Sequence, residues 1–402
     1  RQMLLLADLE AAIRRINPHL PDSAVEQAVT LVRQPSSLDT IVSNRAFHRL
    51  LLDGVPVDYK LDDRIIHDHA LLIDFEQLEA NRFRAINQFT LQGSKQLRRP
   101  DIICFINGLP LAVLELKSHT SENVSIWDAF NQVQTYKDEL PELFVYNEAL
   151  IISDGYNARV GSLTASQERF MPWRTIKHED DKPLLEWQLE TMVRGFFDRE
   201  LLLDYIRYFV LFETDAERLI KKIAGYHQFH AVREAVRATV IAASVPEKEL
   251  RERRATYGTE VAPGSKKAGV VWHTQGSGKS ISMCCYAGML LQQPELNNPT
   301  IVVVTDRNDL DGQLFATFSA ARELLKQEPV QADDRDTLRQ LLAERESGGI
   351  IFTTVQKFAL LEDESGHPIL NDRHNIVVIS DEAHRRQYGL KATLKQDGSY
   401  KF

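Results

Sequence analysis

From residue 269 onward, apolar runs of strand length alternate with stretches that have helical spacing. The runs are GVVWH, TIVVVTD, GIIFTT and NIVVIS, at 269–273, 300–306, 349–354 and 375–380. Strands that are apolar along their whole length are buried on both faces, and helices between them favour parallel pairing. The pattern therefore predicts an α/β fold in which helices cover both faces of a parallel sheet.

The first of these predicted strands leads into HTQGSGKS at 273–280, and a predicted helix over 280–292 follows. Glycines let backbone N–H groups approach phosphate oxygens, and a helix N-terminus adds partial positive charge. Lys279 can reach the outer phosphates of ATP, and Ser280 can ligate Mg²⁺. His273 stands where a phosphate loop usually has its first glycine, a departure that helicase-type loops often tolerate. The residues predicted to bind the nucleotide here are Thr274, Gln275, Gly276, Ser277, Gly278, Lys279 and Ser280.

Two further positions fit an ATP site. Asp381 and Glu382 follow the last apolar run, where Asp381 would reach the Mg²⁺ of ATP and Glu382 could position or deprotonate the attacking water. An acidic strand end alone is usually a solvated loop, but after a phosphate loop it is a strong signal. Upstream, Gln228 could form paired hydrogen bonds with adenine, since an amide both donates and accepts; the alternative is a surface polar residue.

A different cluster lies in the first part of the chain, where the strand-like runs DIICFI (101–106) and LAVLELK (111–117) flank an Asn-Gly turn signal. Asp101 and Glu115 can hold a hard divalent cation that activates water beside a phosphodiester. Lys117 can orient that water or stabilise charge on the phosphate. Alone, such an acid pair could equally be two ordinary hairpin charges.

The connection between these two strands decides whether the acids share a face. A two-residue loop in a regular hairpin would set Asp101 opposite Leu114 and leave Asp101 and Glu115 on opposite faces. One additional residue, in the loop or as a bulge, sets Asp101 directly opposite Glu115. We therefore predict an odd-length connection or a bulge around 107–110.

A helix predicted over 126–140 carries Gln132 and Tyr136, which share one face because they are four residues apart. They could contact a DNA phosphate or brace Lys117. Basic residues that could touch the DNA backbone, or remain ordinary solvated charges, are Lys95, Arg98 and Arg99.

Composition limits the class of protein. With 402 residues, the chain is long enough for about two to three domains. A net charge of −9 argues against a small, generally basic DNA-coating protein. The three cysteines lack zinc-site spacing, which fits a reducing compartment. No run of about 18 apolar residues is found, so we expect no membrane span and a cytoplasmic protein.

Seven segments, in order along the chain, resemble the R subunit of type I restriction enzymes, HsdR. They are RRPDIICFINGLPLAVLELK, NQVQTY, YHQFHAV, VVWHTQGSGKS, VVTDRNDLDGQL, TTVQKF and ISDEAHRRQYG. The resemblance covers nearly the whole chain. It implies a PD-(D/E)xK-type restriction-endonuclease-like domain over 1–175. A helical connector over 176–260 would lead into a RecA-like parallel-sheet domain over 261–402, the first lobe of a superfamily 2 helicase. Apolar spacing also predicts that 180–255 is largely helical.

The resemblance also implies roles for single residues. Asp101, Glu115 and Lys117 fall on the family's nuclease motif. Gln132 and Tyr136 fall on its Q-x-x-x-Y motif, and Gln228 lies near its adenine-recognition segment. Residues that fall on the helicase ATPase motifs are Gly276, Gly278, Lys279, Ser280, Asp381 and Glu382. Segments 306–313 and 353–357 look like those that face DNA.

Such subunits work with modification (HsdM) and specificity (HsdS) subunits, pump double-stranded DNA with ATP and Mg²⁺, and then cut unmodified DNA. The second motor lobe would lie beyond Phe402, so we expect the 402-residue chain to bind ATP, to hydrolyse it poorly and not to translocate. Two alternatives stay open. One is another nuclease–helicase fusion, such as a DNA repair or type III restriction enzyme; the other is a DNA-gripping module that does not cut.

Overall fold

A computed structural model of the chain describes most of its length, in two compact units, Arg1–His230 and Ala231–Phe402. The described residues are 3–118, 124–177, 187–244, 261–274, 276–305, 308–359, 366, 368–381, 393–394 and 400–401. Among the helices in these ranges, none is both long enough and apolar enough to cross a lipid bilayer.

The first unit begins with helices and continues with a mixed sheet and further helices. Its helices are α1 (Leu6–Ile16), α2 (Asp22–Arg33), α3 (Thr40–Asp53), α4 (Ile126–Glu139), α5 (Pro141–Phe144), α6 (Gln188–Thr191), α7 (Arg199–Tyr208) and the start of α8 (Tyr226–Ala243). Its strands are β1 (Val55–Leu61), β2 (Arg64–Ala70), β3 (Phe83–Asn87), β4 (Leu91–Gln92), β5 (Leu97–Arg98), β6 (Ile102–Ile106), β7 (Leu109–Leu116), β8 (Ala149–Ser153), β9 (Ala158–Gly161), β10 (Met171–Pro172), β11 (Val210–Asp215) and β12 (Arg218–Ile223).

The main sheet of this unit has the strand order β10-β9-β8-β7-β6-β3. Only β7 and β8 pair in parallel; the other neighbours are antiparallel. Helix α4 packs against β7 and β8 and begins with a capping box formed by Ser125 and Asp128. The strands predicted at 101–106 and 111–117 are confirmed, as is the helix predicted over 126–140.

The second unit is built around a parallel sheet. Its helices after α8 are α9 (Lys279–Leu291), α10 (Asn308–Ala320), α11 (Arg322–Leu325) and α12 (Arg335–Glu344). Its strands are β13 (Thr300–Thr305), β14 (Val330–Gln331), β15 (Ile350–Thr354), β16 (Ile376–Ser380), β17 (Thr393–Leu394) and β18 (Tyr400–Lys401). Strands β14, β15, β13 and β16 form the sheet in that order, and every pair in it is parallel.

Helices cover both faces of this parallel sheet. On one face, Phe315 and Phe318 of α10 meet Phe352 of β15 edge-on, with ring centroids 5.2 and 5.0 Å apart. The next residue back, Ile351, points to the opposite face, since side chains alternate along a strand. There it joins a buried cluster with Leu338 of α12. The predicted parallel sheet with helices on both sides is therefore confirmed.

The prediction of a largely helical segment over 180–255 is wrong for 210–223. Helix α7 ends at Tyr208, and β11 and β12 follow as an antiparallel hairpin whose pairing runs from Val210–Ile223 to Asp215–Arg218. Apolar residues continue without a break from the helix into the strand. Spacing alone therefore could not separate the two, because short apolar runs fit either structure.

The strand predicted at 269–273 is not formed. Val270 and Trp272 are each 83% exposed, and no described strand pairs with this segment. An apolar run becomes a strand only where a neighbouring strand accepts and donates its backbone hydrogen bonds. The described parallel sheet ends at β16. Residues 269–273 therefore lead into the following loop without backbone hydrogen bonds to a described strand.

Candidate functional site

A β-bulge in the β6–β7 hairpin sets the register of the two acids predicted to bind a metal. The hairpin turns through the two residues 107–108, yet its pairing shifts by one residue, and Leu111 is the extra residue. Continued by one step, the shifted register sets Asp101 opposite Glu115. The predicted bulge is therefore confirmed, one residue beyond the predicted range of 107–110.

Asp101 is held through both of its carboxylate oxygens. Its Oδ2 accepts the backbone N–H of Leu116 at 2.8 Å, which fastens the acid to the opposite strand between Glu115 and Lys117. Its Oδ1 accepts Nε2 of Gln88 at 3.0 Å. Sequence reasoning missed Gln88, which stands outside the recognised motif and follows a strand that was not predicted, β3.

Glu115 and Lys117 form a half-buried ion pair, with Lys117 Nζ donating to Glu115 Oε1 at 2.8 Å. Glu115 is only 3% exposed, and its other oxygen, Oε2, is buried without a hydrogen-bond partner. Burial raises the pKa of Glu115 above its ordinary 4.5; Lys117 opposes this shift, and the charge of Asp101 adds to it. A buried acceptor that stays unsatisfied costs about 1–3 kcal/mol, so this oxygen is a natural ligand position.

Helix α4 places Tyr136 beside these acids. Tyr136 is buried, and its hydroxyl donates a long hydrogen bond of 3.5 Å to the carbonyl of Arg99. Burial, and then the charge of Glu115, raises the pKa of Tyr136, so the phenol stays protonated. Gln132, one turn earlier, is partly exposed. Among the described contacts of Asp101, Glu115 and Lys117, here called the acid–lysine group, none involves Gln132. The role of Gln132 stays a prediction.

The three basic residues predicted to touch the DNA backbone differ in their contacts and in their exposure to solvent. Arg98 forms a two-pronged ion pair with Glu139 at the end of α4, with distances of 2.7 and 2.6 Å. This pair braces β5 against the helix and ties up the guanidinium group. Lys95 and Arg99 are exposed and better placed to meet a DNA backbone.

The predicted phosphate loop has the conformation that its glycines allow. Gly276 and Gly278 have φ angles of +78° and +83°, and α9 begins at Lys279, one residue from its predicted start. Ser277 closes the turn, with its hydroxyl donating to the carbonyl of Thr274 at 2.6 Å. A side chain at Gly276 would meet nothing within 4 Å, so open space lies beside the loop.

Two further predicted positions of the second unit, Asp381 and Thr354, lie at the carboxyl ends of the parallel strands. Asp381 directly follows β16, and its N–H donates to the carbonyl of Val304 at 2.9 Å, which extends the pairing with β13. Thr354, at the end of β15, lies at the same edge because the strands are parallel. The predicted residues that lie outside the described residues are Gln275, Glu382 and the start of the 306–313 segment, Asp306 and Arg307.

Gln228 lies in the first turn of α8 and is buried. Its Oε1 accepts the backbone N–H of Gly225 at 2.7 Å, so the amide already holds the loop that precedes the helix. Its adenine-binding role stays a prediction.

Two family models match separate parts of the chain. The model for the N terminus of type I restriction enzyme R proteins matches residues 1–169, and the SWI2/SNF2 ATPase model matches residues 227–397. The first match contains the acid–lysine group on the bulged hairpin, and the second contains the phosphate loop.

Curated relatives resemble the chain along almost its whole length. The type I restriction enzyme HindI endonuclease subunit of Haemophilus influenzae is 52% identical over 396 residues, which is 98% of this chain and 36% of that protein. The putative type I restriction enzyme MjaIXP endonuclease subunit of Methanocaldococcus jannaschii is 34% identical over 400 residues, 95% of this chain and 36% of that protein. The chain thus spans little more than a third of the length of these relatives.

Proposed function

Because the chain belongs to the family of type I restriction enzyme R proteins, we propose that it supplies the nuclease and first ATP-binding parts of such a subunit. Its reaction would be Mg²⁺-dependent cleavage of unmodified double-stranded DNA, coupled to ATP-driven translocation. The observation that carries this proposal is the bulged hairpin, which sets Asp101 opposite Glu115, with Lys117 bonded to the second acid. Its partners would be modification and specificity subunits, in the cytoplasm.

The acids on the hairpin fit a hard cation. Glu115 Oε2 is a buried acceptor without a hydrogen-bond partner, and each oxygen of Asp101 keeps lone pairs beyond the hydrogen bond described above. Mg²⁺ is usually held by one or two carboxylates and keeps several waters. This agrees with finding no group of three acid, histidine or cysteine side chains among the described residues. When bound, Mg²⁺ would polarise the phosphate and lower the pKa of its water.

The protein's own groups would do the rest of the work in a PD-(D/E)xK-type centre. Lys117 has three donors, of which one goes to Glu115, so its ammonium can also bond to a water or a phosphate oxygen. Tyr136 keeps its proton and would donate it to a phosphate oxygen in place of its long hydrogen bond to the Arg99 carbonyl. Gln132 would add a polar contact from the same helix face.

In the second unit, we propose that the phosphate loop of a RecA-like lobe binds ATP. The open space beside Gly276 and the N-terminus of α9 at Lys279 fit a phosphate group. Lys279 would neutralise the outer phosphates, while Ser280 and Asp381 would hold the Mg²⁺ of ATP. Glu382 would act on the attacking water.

The nuclease proposal is tested by Mg²⁺-dependent plasmid cleavage with the full-length subunit assembled with its partner subunits. We expect Asp101→Ala and Lys117→Ala each to slow cleavage by about 10²–10³-fold, the usual cost of a lost group that stabilises developing charge. Asp138→Ala removes an exposed acid from α4 and serves as the matched control. Equal cutting by all variants would rule out this centre and favour a DNA-gripping module.

The ATP proposal is tested separately by equilibrium binding of a fluorescent ATP analogue. Lys279→Ala should abolish binding, whereas Lys267→Ala, which removes an exposed lysine ahead of the loop, should not change it. Unchanged binding by Lys279→Ala would mean that the nucleotide binds elsewhere. Purification with type III restriction or repair partners, in place of modification and specificity subunits, would favour the other nuclease–helicase class.

A further inference from the structure

Lys221, on the hairpin β11–β12, is a fully buried cation. Its ammonium group donates to Glu148 Oε2 at 2.9 Å, to the carbonyl of Asn147 at 2.6 Å and to Asn44 Oδ1 at 3.0 Å. These three bonds use all three donors of an ammonium group. His48 Nδ1 lies 3.1 Å from the same Glu148 oxygen. A buried charge with a complete set of partners is a built feature of the unit.

Two of the three partners of Lys221, Asn147 and Glu148, hold the bulge of the nuclease hairpin. The carbonyl of Leu111, the extra residue, accepts the backbone N–H of Glu148 at 2.7 Å and Nδ2 of Asn147 at 3.4 Å. Parallel pairing of β7 with β8 begins immediately afterwards, at Ala112 with Ala149. Asn147 and Glu148 therefore donate the hydrogen bonds that the carbonyl of the bulge residue Leu111 accepts. Lys221 in turn holds these two residues through its own hydrogen bonds to them.

The strand that carries Lys221, β12, is hydrogen-bonded to the segment that follows β9. The Thr164 hydroxyl accepts the N–H of Lys221 at 2.9 Å, and Ser162 and Thr164 both donate to its carbonyl, at 2.6 and 3.0 Å. Burial would raise the pKa of Glu148, but the charges of Lys221 and His48 lower it, which favours the ionised carboxylate. Burial lowers the pKa of Lys221, and the charge of Glu148 opposes that shift, so each of the two groups keeps the other charged at 2.9 Å.

We infer that Lys221 is a positioning residue for the nuclease centre, and that hairpin β11–β12 is part of that centre's framework. Lys221 holds Asn147 and Glu148, these two hold the bulge at Leu111, and the bulge keeps Asp101 opposite Glu115. The hairpin lies outside residues 1–169, the part that the R-protein N-terminal model matches. The inference rests on the proposed nuclease function, although the chain of contacts does not.

The test compares Lys221→Met with Lys222→Met in the full-length subunit within its complex. Lys222 is on the same strand but pairs with Glu213 at the surface, so its variant makes the same chemical change outside the cluster. We expect Lys221→Met to raise the Mg²⁺ concentration for half-maximal cleavage by about 10–100-fold, the usual effect of losing a residue that supports metal ligands. DNA-stimulated ATPase activity and the Lys222→Met enzyme should stay as in the wild type. A folded Lys221→Met enzyme with wild-type metal dependence would overturn the inference.

Two additions keep the result decisive. If Lys221→Met does not fold, the double variant Lys221→Met/Glu148→Gln leaves no buried unpaired charge, and its metal dependence decides in the same way. Amide hydrogen exchange at Leu116, the donor to Asp101 Oδ2, reports the register without any cleavage. It should be faster in the Lys221 variants than in Lys222→Met. Should Asp101→Ala cut like the wild type, the nuclease proposal fails, while the exchange at Leu116 still judges the role of Lys221.

Discussion

Glu115 is the residue whose protonation should control how much metal the nuclease needs. Burial raises its pKa above 4.5, so a proton competes with the cation at a higher pH than it would for an exposed glutamate. We expect the Mg²⁺ concentration for half-maximal cleavage to rise as the pH falls toward this raised pKa. Cleavage rates measured against Mg²⁺ at several pH values give the slope, and an unchanged metal requirement across the acidic range would contradict the prediction.

The same shift has a consequence for stability without metal. An acid whose pKa is raised on folding stabilises the folded state below its ordinary pKa, and this contribution is lost as the pH rises through the raised value. In its ionised form, Glu115 therefore destabilises the metal-free folded protein. The variant Glu115→Gln should melt at a higher temperature than the wild type in a chelator at pH 7, and this difference should shrink at acidic pH.

At the scale of elements, the turn of the β6–β7 hairpin depends on Gly108. Its φ is +81°, and a Cβ there would lie 2.5 Å from the carbonyl oxygen of Leu5 and 2.8 Å from the N of Leu9. Because backbone atoms cannot swing aside, Gly108→Ala should lower the free energy of unfolding by at least about 1–3 kcal/mol, the usual cost of a strained backbone position. Urea unfolding measures it.

Gly312→Ala provides the comparison for that prediction. Gly312 lies in α10, and a Cβ there would meet nothing within 4 Å. Alanine in a helix is favoured over glycine by roughly 0.5–1 kcal/mol, so this variant should be as stable as the wild type or more so. Equal destabilisation by both substitutions would mean that loss of glycine, and not the approach of α1, causes the effect at Gly108.

Two hairpins explain which elements could be predicted from the sequence. The turn at 107–108 needs positive φ at both residues, and Asn and Gly are the residues that adopt it readily, so the turn could be predicted. Ala216 and Glu217 have the same kind of backbone, with φ of +44° and +70°, but neither residue indicates it. Left-handed backbone costs such residues about 1–2 kcal/mol each, which packing in the folded unit must offset. The β11–β12 hairpin was therefore missed.

The candidate nuclease centre divides in the same way. The positions of Asp101, Glu115 and Lys117 follow from alternation along two strands and one extra residue, which local spacing can predict. The support behind them is not local: Lys221 lies 73 residues from Glu148, and no periodicity connects the two. Long-range partners of this kind become visible only when the chain is folded.

At the scale of the whole molecule, the end of the first unit lies at His230, well beyond the predicted domain boundary at 175. Trp173 shows why. It is fully buried, and its ring lies 5.2 Å from Phe196, 5.8 Å from Tyr205 and 5.3 Å from Phe229, measured between centroids. Each of these three rings comes from a residue after 175. A nuclease domain that stopped at 175 would therefore expose one side of its own core.

A pair of fragments puts this boundary to the test. Losing one large buried aromatic side chain typically costs 3–5 kcal/mol, so a 1–175 fragment without these three rings, and without Lys221, gives up about as much as a domain's whole stability of 5–15 kcal/mol. We expect the 1–175 fragment to lack a cooperative unfolding transition by circular dichroism, while a 1–230 fragment unfolds cooperatively and retains Mg²⁺-dependent changes in melting temperature. Cooperative unfolding of both fragments at the same urea concentration would show that residues 176–230 are an appendage, and that the aromatic cluster and Lys221 contribute nothing to the nuclease fold.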